Sequence, residues 1–237
     1  AEVITELIKI SQPDKETKTI FLWPEGIIPN INQKQLKEFE FLFSEKFNEN
    51  HLLAIGINSY EQINEKDYFY NTLSIYDHKL NLINDYKKVK LVPFGEFIPF
   101  RDYIGKILDI MGINLVNTLP GDSYSPLLSN RLKISTSICY EIAFSELIRK
   151  TAKSGNLLVT ISNDTWFGAS IGPEQHLEIA QSRALEHQKS LIRATNSGIS
   201  AIIDRKGQIV QRQGFFEKKE LKGEISIYEG NTPFSII

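Results

Sequence analysis

The chain has 237 residues, with 27 Lys+Arg against 29 Asp+Glu and 41% hydrophobic residues. The net charge of −2 leaves no electrostatic footprint for nucleic acid. One cysteine excludes an internal disulfide and a multi-Cys zinc site, and no run approaches the ~18 apolar residues of a spanning helix. The sequence reads as a globular piece, and without repeats or Gly/Ser linkers residues 1–237 read as one domain.

Val3, Leu7 and Ile8 predict an opening helix. Thr19–Trp23 is a short buried-strand pattern that stops at Pro24. Gln33–Asn48 places Leu36, Phe39, Phe43 and Phe47 at helical spacing, so one face should be buried. His51–Asn58 and Tyr70–Tyr76 read as strands. The stretch Phe97–Leu128 is apolar (Ile104, Ile107, Leu108, Met111, Ile113, Leu115), yet fits neither element through its length. Insertions of that size are usually lids or binding loops, though a short core helix followed by a loop fits the pattern too.

Arg131–Ile138 alternates, with Leu132, Ile134, Thr136 and Ile138 on one face. Phe144, Leu147, Ile148 and Ala152 form a helical face after it. Leu157–Ser162 is a strand, His176–His187 a helix, and Leu191–Asn196 and Ile199–Asp204 two more strands. Arg205–Gln208 then makes a hairpin turn into Ile209–Arg212. Alternating strands and helices predict an α/β fold, and the back-to-back strands predict that part of the sheet is antiparallel.

In open α/β sheets, reactive groups collect beyond the carboxyl ends of strands. Glu25, Lys88, Cys139 and the pair Asn163-Asp164 occupy such places. Each has a structural reading by itself: Cys139 as a small buried hydrophobe, Glu25 as a turn cap, Lys88 as part of a solvated basic edge, Asn163 and Asp164 as loop shapers. Together they make chemical sense. A thiol with pKa near ~8.5 needs a base, which Glu25 supplies, and attack on a carbonyl builds an oxyanion that the Lys88 ammonium stabilises. A helix expected to begin near Glu141 would further favour the thiolate. The four histidines offer no i, i+4 metal pair, and nothing in the sequence calls for a metal or organic cofactor.

Leu22-Trp23-Pro24-Glu25, Tyr86-Lys87-Lys88-Val89-Lys90-Leu91 and Ile138-Cys139-Tyr140-Glu141 resemble the three motifs of the nitrilase (carbon–nitrogen hydrolase) superfamily. That resemblance implies an αββα sandwich with mixed sheets and a Glu–Lys–Cys triad. Val92-Pro93-Phe94-Gly95-Glu96, Ser162-Asn163-Asp164-Thr165-Trp166-Phe167-Gly168 and Arg193-Ala194-Thr195-Asn196-Ser197-Gly198 resemble its apolipoprotein N-acyltransferase branch. The branch implies transfer of an acyl chain from a phospholipid to the N-terminal amine of a diacylglyceryl-cysteine lipoprotein. It implies a bacterial inner-membrane enzyme, its catalytic domain facing the periplasm, of which this chain is a fragment, and a monomer is expected.

Carried over by motif, Glu25 is the general base, Lys88 the oxyanion cation and Cys139 the nucleophile. Glu96, Tyr140 and Glu141 match supporting positions, and Asn71 and Trp166 match substrate-contacting ones. The bland alternatives are a surface ion pair for Glu96, a first-turn acid for Glu141 and core aromatics for Tyr140 and Trp166. Two other functions compete with the transferase. A small-amide hydrolase would use the same triad with water as acceptor, and a non-catalytic lipid-binding module would have no use for a complete triad. The apolar insertion and the Trp166 loop favour the transferase.

Overall fold

The computed structural model describes residues 2–93, 95–97, 118–129 and 131–237. Among these residues, ten strands form two sheets. The first joins β1 (Thr19–Trp23), β2 (His51–Ile63), β3 (Lys66–Tyr76) and β4 (Leu82–Lys87) in that order, with β1 parallel to β2 and the others antiparallel. The second comprises β5 (Leu127–Ser129), β6 (Leu132–Ile138), β7 (Leu157–Asn163), β8 (Leu191–Asn196), β9 (Ser200–Ile203) and β10 (Ile209–Gln213), adjacent in chain order. Its middle strands β6, β7 and β8 are parallel, and the flanking pairs are antiparallel.

Three apolar clusters fix the layering. Ala54, Leu73 and Ile75 of the first sheet pack against Ile134, Ile138, Val159 and Ile161 of the second. The first sheet's outer face carries α1 (Glu2–Ser11), α2 (Gln33–Leu36) and α3 (Glu40–Lys46), through Ile4, Leu36, Phe43 and Phe47 on Phe21, Trp23 and Leu53. The second sheet's outer face carries α4 (Ser145–Ala152) and α5 (Gly172–His187). The result is an αββα sandwich of mixed sheets, as the motifs imply.

Several local expectations are corrected. The helix over Gln33–Asn48 is broken by a 3₁₀ turn at Lys37–Phe39, although Asn32 caps its start and Leu36, Phe43 and Phe47 are buried. The polar face of β6 stays exposed at Lys133 but is buried at Ser135 and Ser137, where α4 covers it and Ser135 Oγ donates to the Thr151 carbonyl at 2.8 Å. Phe144 leaves its expected helical face: its backbone is extended at the start of α4, and its ring is 43% exposed. The segment 98–117, which holds most of the apolar insertion, lies outside the described residues, while the insertion's far end enters β5.

Phe43 is fully buried between Trp23 and Phe47, with ring centroids 5.6 and 5.7 Å away, whereas Phe41 on the same helix is 67% exposed. Phe43→Ala is expected to lower the unfolding free energy by about 3–5 kcal/mol, and Phe41→Ala by less than about 0.5 kcal/mol. Urea titration of the two variants measures the difference.

Candidate active site

β1, β4, β6 and β7 deliver side chains to one end of the sandwich. Beyond β1, Pro24 and Glu25 cross directly over Gly56 of β2. A Cβ on Gly56 would lie 2.6 Å from the Pro24 carbonyl oxygen and 2.8 Å from Glu25 Cα. The glycine therefore lets the Glu25 turn settle on the sheet. Glu25 Oε1 accepts from Asn71 Nδ2 at 2.5 Å, and Oε2 accepts from the Asn163 N–H at 2.8 Å. Burial raises the affinity of this carboxylate for a proton, against the pull of the Lys88 charge and the Asn71 bond.

Lys88 is 1% exposed, which overturns its reading as a solvated edge. Its Nζ bonds the Glu96 carboxylate at 2.8 and 2.9 Å and stands 3.9 Å from Glu25 Oε1. Glu96 also accepts from Asn71 Nδ2 at 3.1 Å and the Val92 N–H at 2.9 Å. Burial disfavours the Lys88 ammonium, but the charges of Glu25, Cys139 and Glu96 outweigh it and hold the pKa above its ordinary value. A buried cation between two carboxylates stays charged.

Cys139 ends β6 with φ +56°, a left-handed conformation that costs a non-glycine residue about 1 kcal/mol or more. The expected helix at Glu141 is absent: Cys139–Ala143 is one 3₁₀ turn, and α4 begins only at Ser145. Burial, then the Glu25 charge, push the thiol up to about 11, against the Lys88 ammonium. The resting sulfur is therefore protonated, and a helix terminus does not ionise it.

Glu141 is fully buried and ties the two sheets together. Its Oε1 accepts from the Val89 and Lys90 N–H groups at 2.7 and 2.8 Å, and its Oε2 from Tyr86 Oη at 3.0 Å and the Ile138 N–H at 2.8 Å. Burial pushes this carboxyl up to about 7, opposed by the backbone donors. The first-turn-acid reading is thus replaced by a structural bridge.

Tyr140, 48% exposed, and Trp166, 80% exposed, are not core aromatics. Tyr140 follows Cys139, and Trp166 sits on the 3₁₀ turn Asp164–Phe167 that follows Asn163. The structure thus gathers Glu25, Asn71, Lys88 and Glu96 around one buried ion cluster whose charges act on the Cys139 sulfur. Sequence reasoning missed the Asn163 backbone bond to Glu25 and the buried Asp164–Arg193 ion pair, in which Arg193 Nη2 bonds Asp164 Oδ2 at 2.6 Å. Their only trace in the sequence is the polar Ser162-Asn163-Asp164 run at a strand end. A separate cleft of about 500 Å³, lined by residues including Lys133, Gly155 and Glu229, lies at the opposite ends of β6 and β7.

A family model described as carbon–nitrogen hydrolase matches residues 9–229. Among curated proteins, an apolipoprotein N-acyltransferase of Photobacterium profundum is 38% identical over 225 residues, covering 92% of this chain and 43% of that protein. The protein of that name from Vibrio cholerae is 34% identical over 223 residues, covering 91% and 44%. That from Pseudomonas aeruginosa strain LESB58 is 33% identical, covering 95% and 44%. The chain spans less than half the length of these relatives. Among solved structures, a carbon–nitrogen hydrolase from Helicobacter pylori G27 superimposes with a TM-score of 0.64 at 14% identity, over 93% of this chain and 80% of that one. Nit3 of Saccharomyces cerevisiae, a nitrilase-superfamily member, gives 0.60 at 20% identity, over 90% and 78%. At such identities the likeness is one of fold.

Two measurements check the site. Glu141→Gln sets an amide NH₂ against donors and is expected to cost about 2–4 kcal/mol of stability, read by urea titration. Because the thiol titrates near 11, alkylation of Cys139 by iodoacetamide should rise about tenfold per pH unit from pH 7 to 10. A plateau below pH 8 would contradict that ionisation.

Proposed function

Since the chain belongs to the carbon–nitrogen hydrolase family, we propose that residues 1–237 form the catalytic domain of an apolipoprotein N-acyltransferase. The donor is a membrane phospholipid, and the acceptor is the N-terminal amine of a diacylglyceryl-cysteine lipoprotein. In this reading the domain works beside the bacterial inner membrane, on its periplasmic side. Among the described residues, no helix is long and apolar enough to cross a membrane.

The chemistry follows from the charges at the site. Glu25 takes the Cys139 proton as the sulfur attacks the ester carbonyl of the donor. The developing oxyanion is met by the Lys88 ammonium and the Tyr140 N–H. Collapse of the intermediate breaks the ester C–O bond. The lysophospholipid alkoxide receives the proton held by Glu25 and departs, leaving a thioester on Cys139. The lipoprotein amine then attacks the thioester, Glu25 accepts its proton and returns it to the sulfur, and the amide product leaves. Asn71 and the Asn163 N–H fix the Glu25 carboxylate throughout. Glu96 holds Lys88 from the other side. The exposed rings of Tyr140 and Trp166 offer apolar surface to an acyl chain.

The observation that carries this reading is a buried ammonium 3.9 Å from a carboxylate whose pKa burial raises, the charges of both acting on the lone thiol. Incubation with phospholipid in mixed micelles, followed by intact-mass analysis, tests it. A hydroxylamine-labile increment of one fatty acyl group is expected for the wild-type chain and absent in Cys139→Ser. Glu25→Gln should slow its appearance by at least about 10²-fold. No adduct, with ammonia released from small amides, would assign the hydrolase reading instead.

A further inference from the structure

The steps above approach Cys139 from the side of Glu25 and Lys88. A second buried cluster lies behind it and has no role in them: Ser162, Asp164, His176 and Arg193, none more than 2% exposed. His176, on α5, places Nε2 3.2 Å from the Cys139 carbonyl oxygen. Its Nδ1 stands 3.1 Å from Arg193 Nη2 and 3.2 Å from Asp164 Oδ1. Arg193 Nη2 also donates to Asp164 Oδ2 at 2.6 Å, Arg193 Nε donates to the Ile199 carbonyl at 3.1 Å, and Ser162 Oγ donates to Asp164 Oδ1 at 2.6 Å.

These neighbours decide where the ring carries hydrogen. In a neutral ring whose Nδ1 accepts from Arg193, Nε2 bears the proton and donates to the carbonyl. In a charged ring Nδ1–H donates to Asp164, and Nε2–H again donates to the carbonyl. The remaining tautomer, with hydrogen on Nδ1 alone, sets an Nε2 lone pair against a carbonyl oxygen. Both satisfactory states therefore make the same bond to Cys139.

The peptide that His176 touches has its other end at the reacting atom. With Cys139 held at φ +56°, the Tyr140 N–H of that peptide is among the groups that favour the Cys139 thiolate. We propose that His176 is a positioning residue that acts on the sulfur through the Cys139–Tyr140 peptide: Nε2–H donates to the carbonyl oxygen, and the N–H so polarised stabilises the thiolate. A hydrogen bond to the oxygen deepens amide resonance and makes the N–H a stronger donor, and bonds in such a chain reinforce one another. The bond also holds the peptide in its left-handed setting. In the acyl-transfer reading, on which only this clause rests, the same N–H then serves the oxyanion.

The charged groups that act on the sulfur come from several elements: Glu25 follows β1, Lys88 follows β4 and Arg193 belongs to β8, with Glu96 paired to Lys88 and Asp164 to Arg193. Replacement of His176 removes none of these charges, though it alters the Nδ1 contacts to Asp164 and Arg193, so variants that keep one ring position or the other are needed to read the peptide relay separately.

Two near-isosteres divide the ring's two roles. Gln places an amide nitrogen where Nε2 stands and gives up the Nδ1 contacts, while Asn reaches only the Nδ1 position and gives up the bond to Cys139. Alkylation of Cys139 by iodoacetamide at pH 8, with melting temperature recorded in parallel, is the measurement. His176→Asn and His176→Phe are expected to slow alkylation about three- to tenfold, the latter figure being one pKa unit. His176→Gln should stay within about twofold of wild type. Equal rates in all four proteins would overturn the proposal. So would a slow Gln variant beside a wild-type-like Asn variant, or rates that follow melting temperature rather than the Nε2 donor. The assay uses no phospholipid, so loss of the acyl-transfer reading would leave this ordering intact.

Discussion

The site exists because one buried carboxylate spans the seam between two sheets. Glu141 belongs to the turn after β6, yet three of its four donors come from Tyr86, Val89 and Lys90, around the end of β4 in the other sheet. Hydrophobic packing between sheets is non-directional and fixes their separation better than their sliding. Four hydrogen bonds to one rigid group remove that freedom at the end where Lys88 and Cys139 must meet. The cost is a charge taken out of water, and four donors offset it. Lys88 can then be buried with its ammonium aimed at the seam rather than at solvent.

Within that frame the electrostatics are arranged by unequal sharing. Lys88 bonds Glu96 closely and stands further from Glu25. Glu96 thus neutralises most of the buried cation, while Glu25 keeps a higher proton affinity than an ordinary carboxylate. Two like-charged groups around one cation differ in proton affinity with their distance from it. Asn71 donates to both carboxylates and fixes the division.

Much of this arrangement was legible in the sequence. Short β-branched and aliphatic runs ending at Pro24, Lys88, Cys139 and Asn163 marked strand termini, and strand termini are where an α/β sheet presents its chemistry. The motifs around Glu25, Lys88 and Cys139 pointed to side chains that the fold brings to one end of the sandwich. What stayed hidden depended on tertiary packing. Periodicity could not tell that both faces of β6 would be covered from Ile134 onward, nor that Phe144 would leave the helical face its spacing suggested. The exposure of Lys88 could not be read from a run of lysines, since its burial depends on Glu96 and Glu25 arriving from elsewhere. Glu141 looked like a helix-start acid because its four donors lie as far as 55 residues away in the chain. Arg193 stood in a recognisable motif, but nothing local paired it or His176 with Asp164, as those partners are brought together only by the parallel strands and α5.

The high ionisation point of the Cys139 thiol has a further chemical meaning. With the thiol held up to about 11, the sulfur at pH 7.4 is an anion in only on the order of one molecule in a few thousand. Peroxides and disulfides react with sulfur in its anionic form, so such a group is sluggish toward both. A thiol kept neutral at rest is thereby spared the oxidation that a permanently ionised cysteine would suffer. Latency and longevity here share one electrostatic origin.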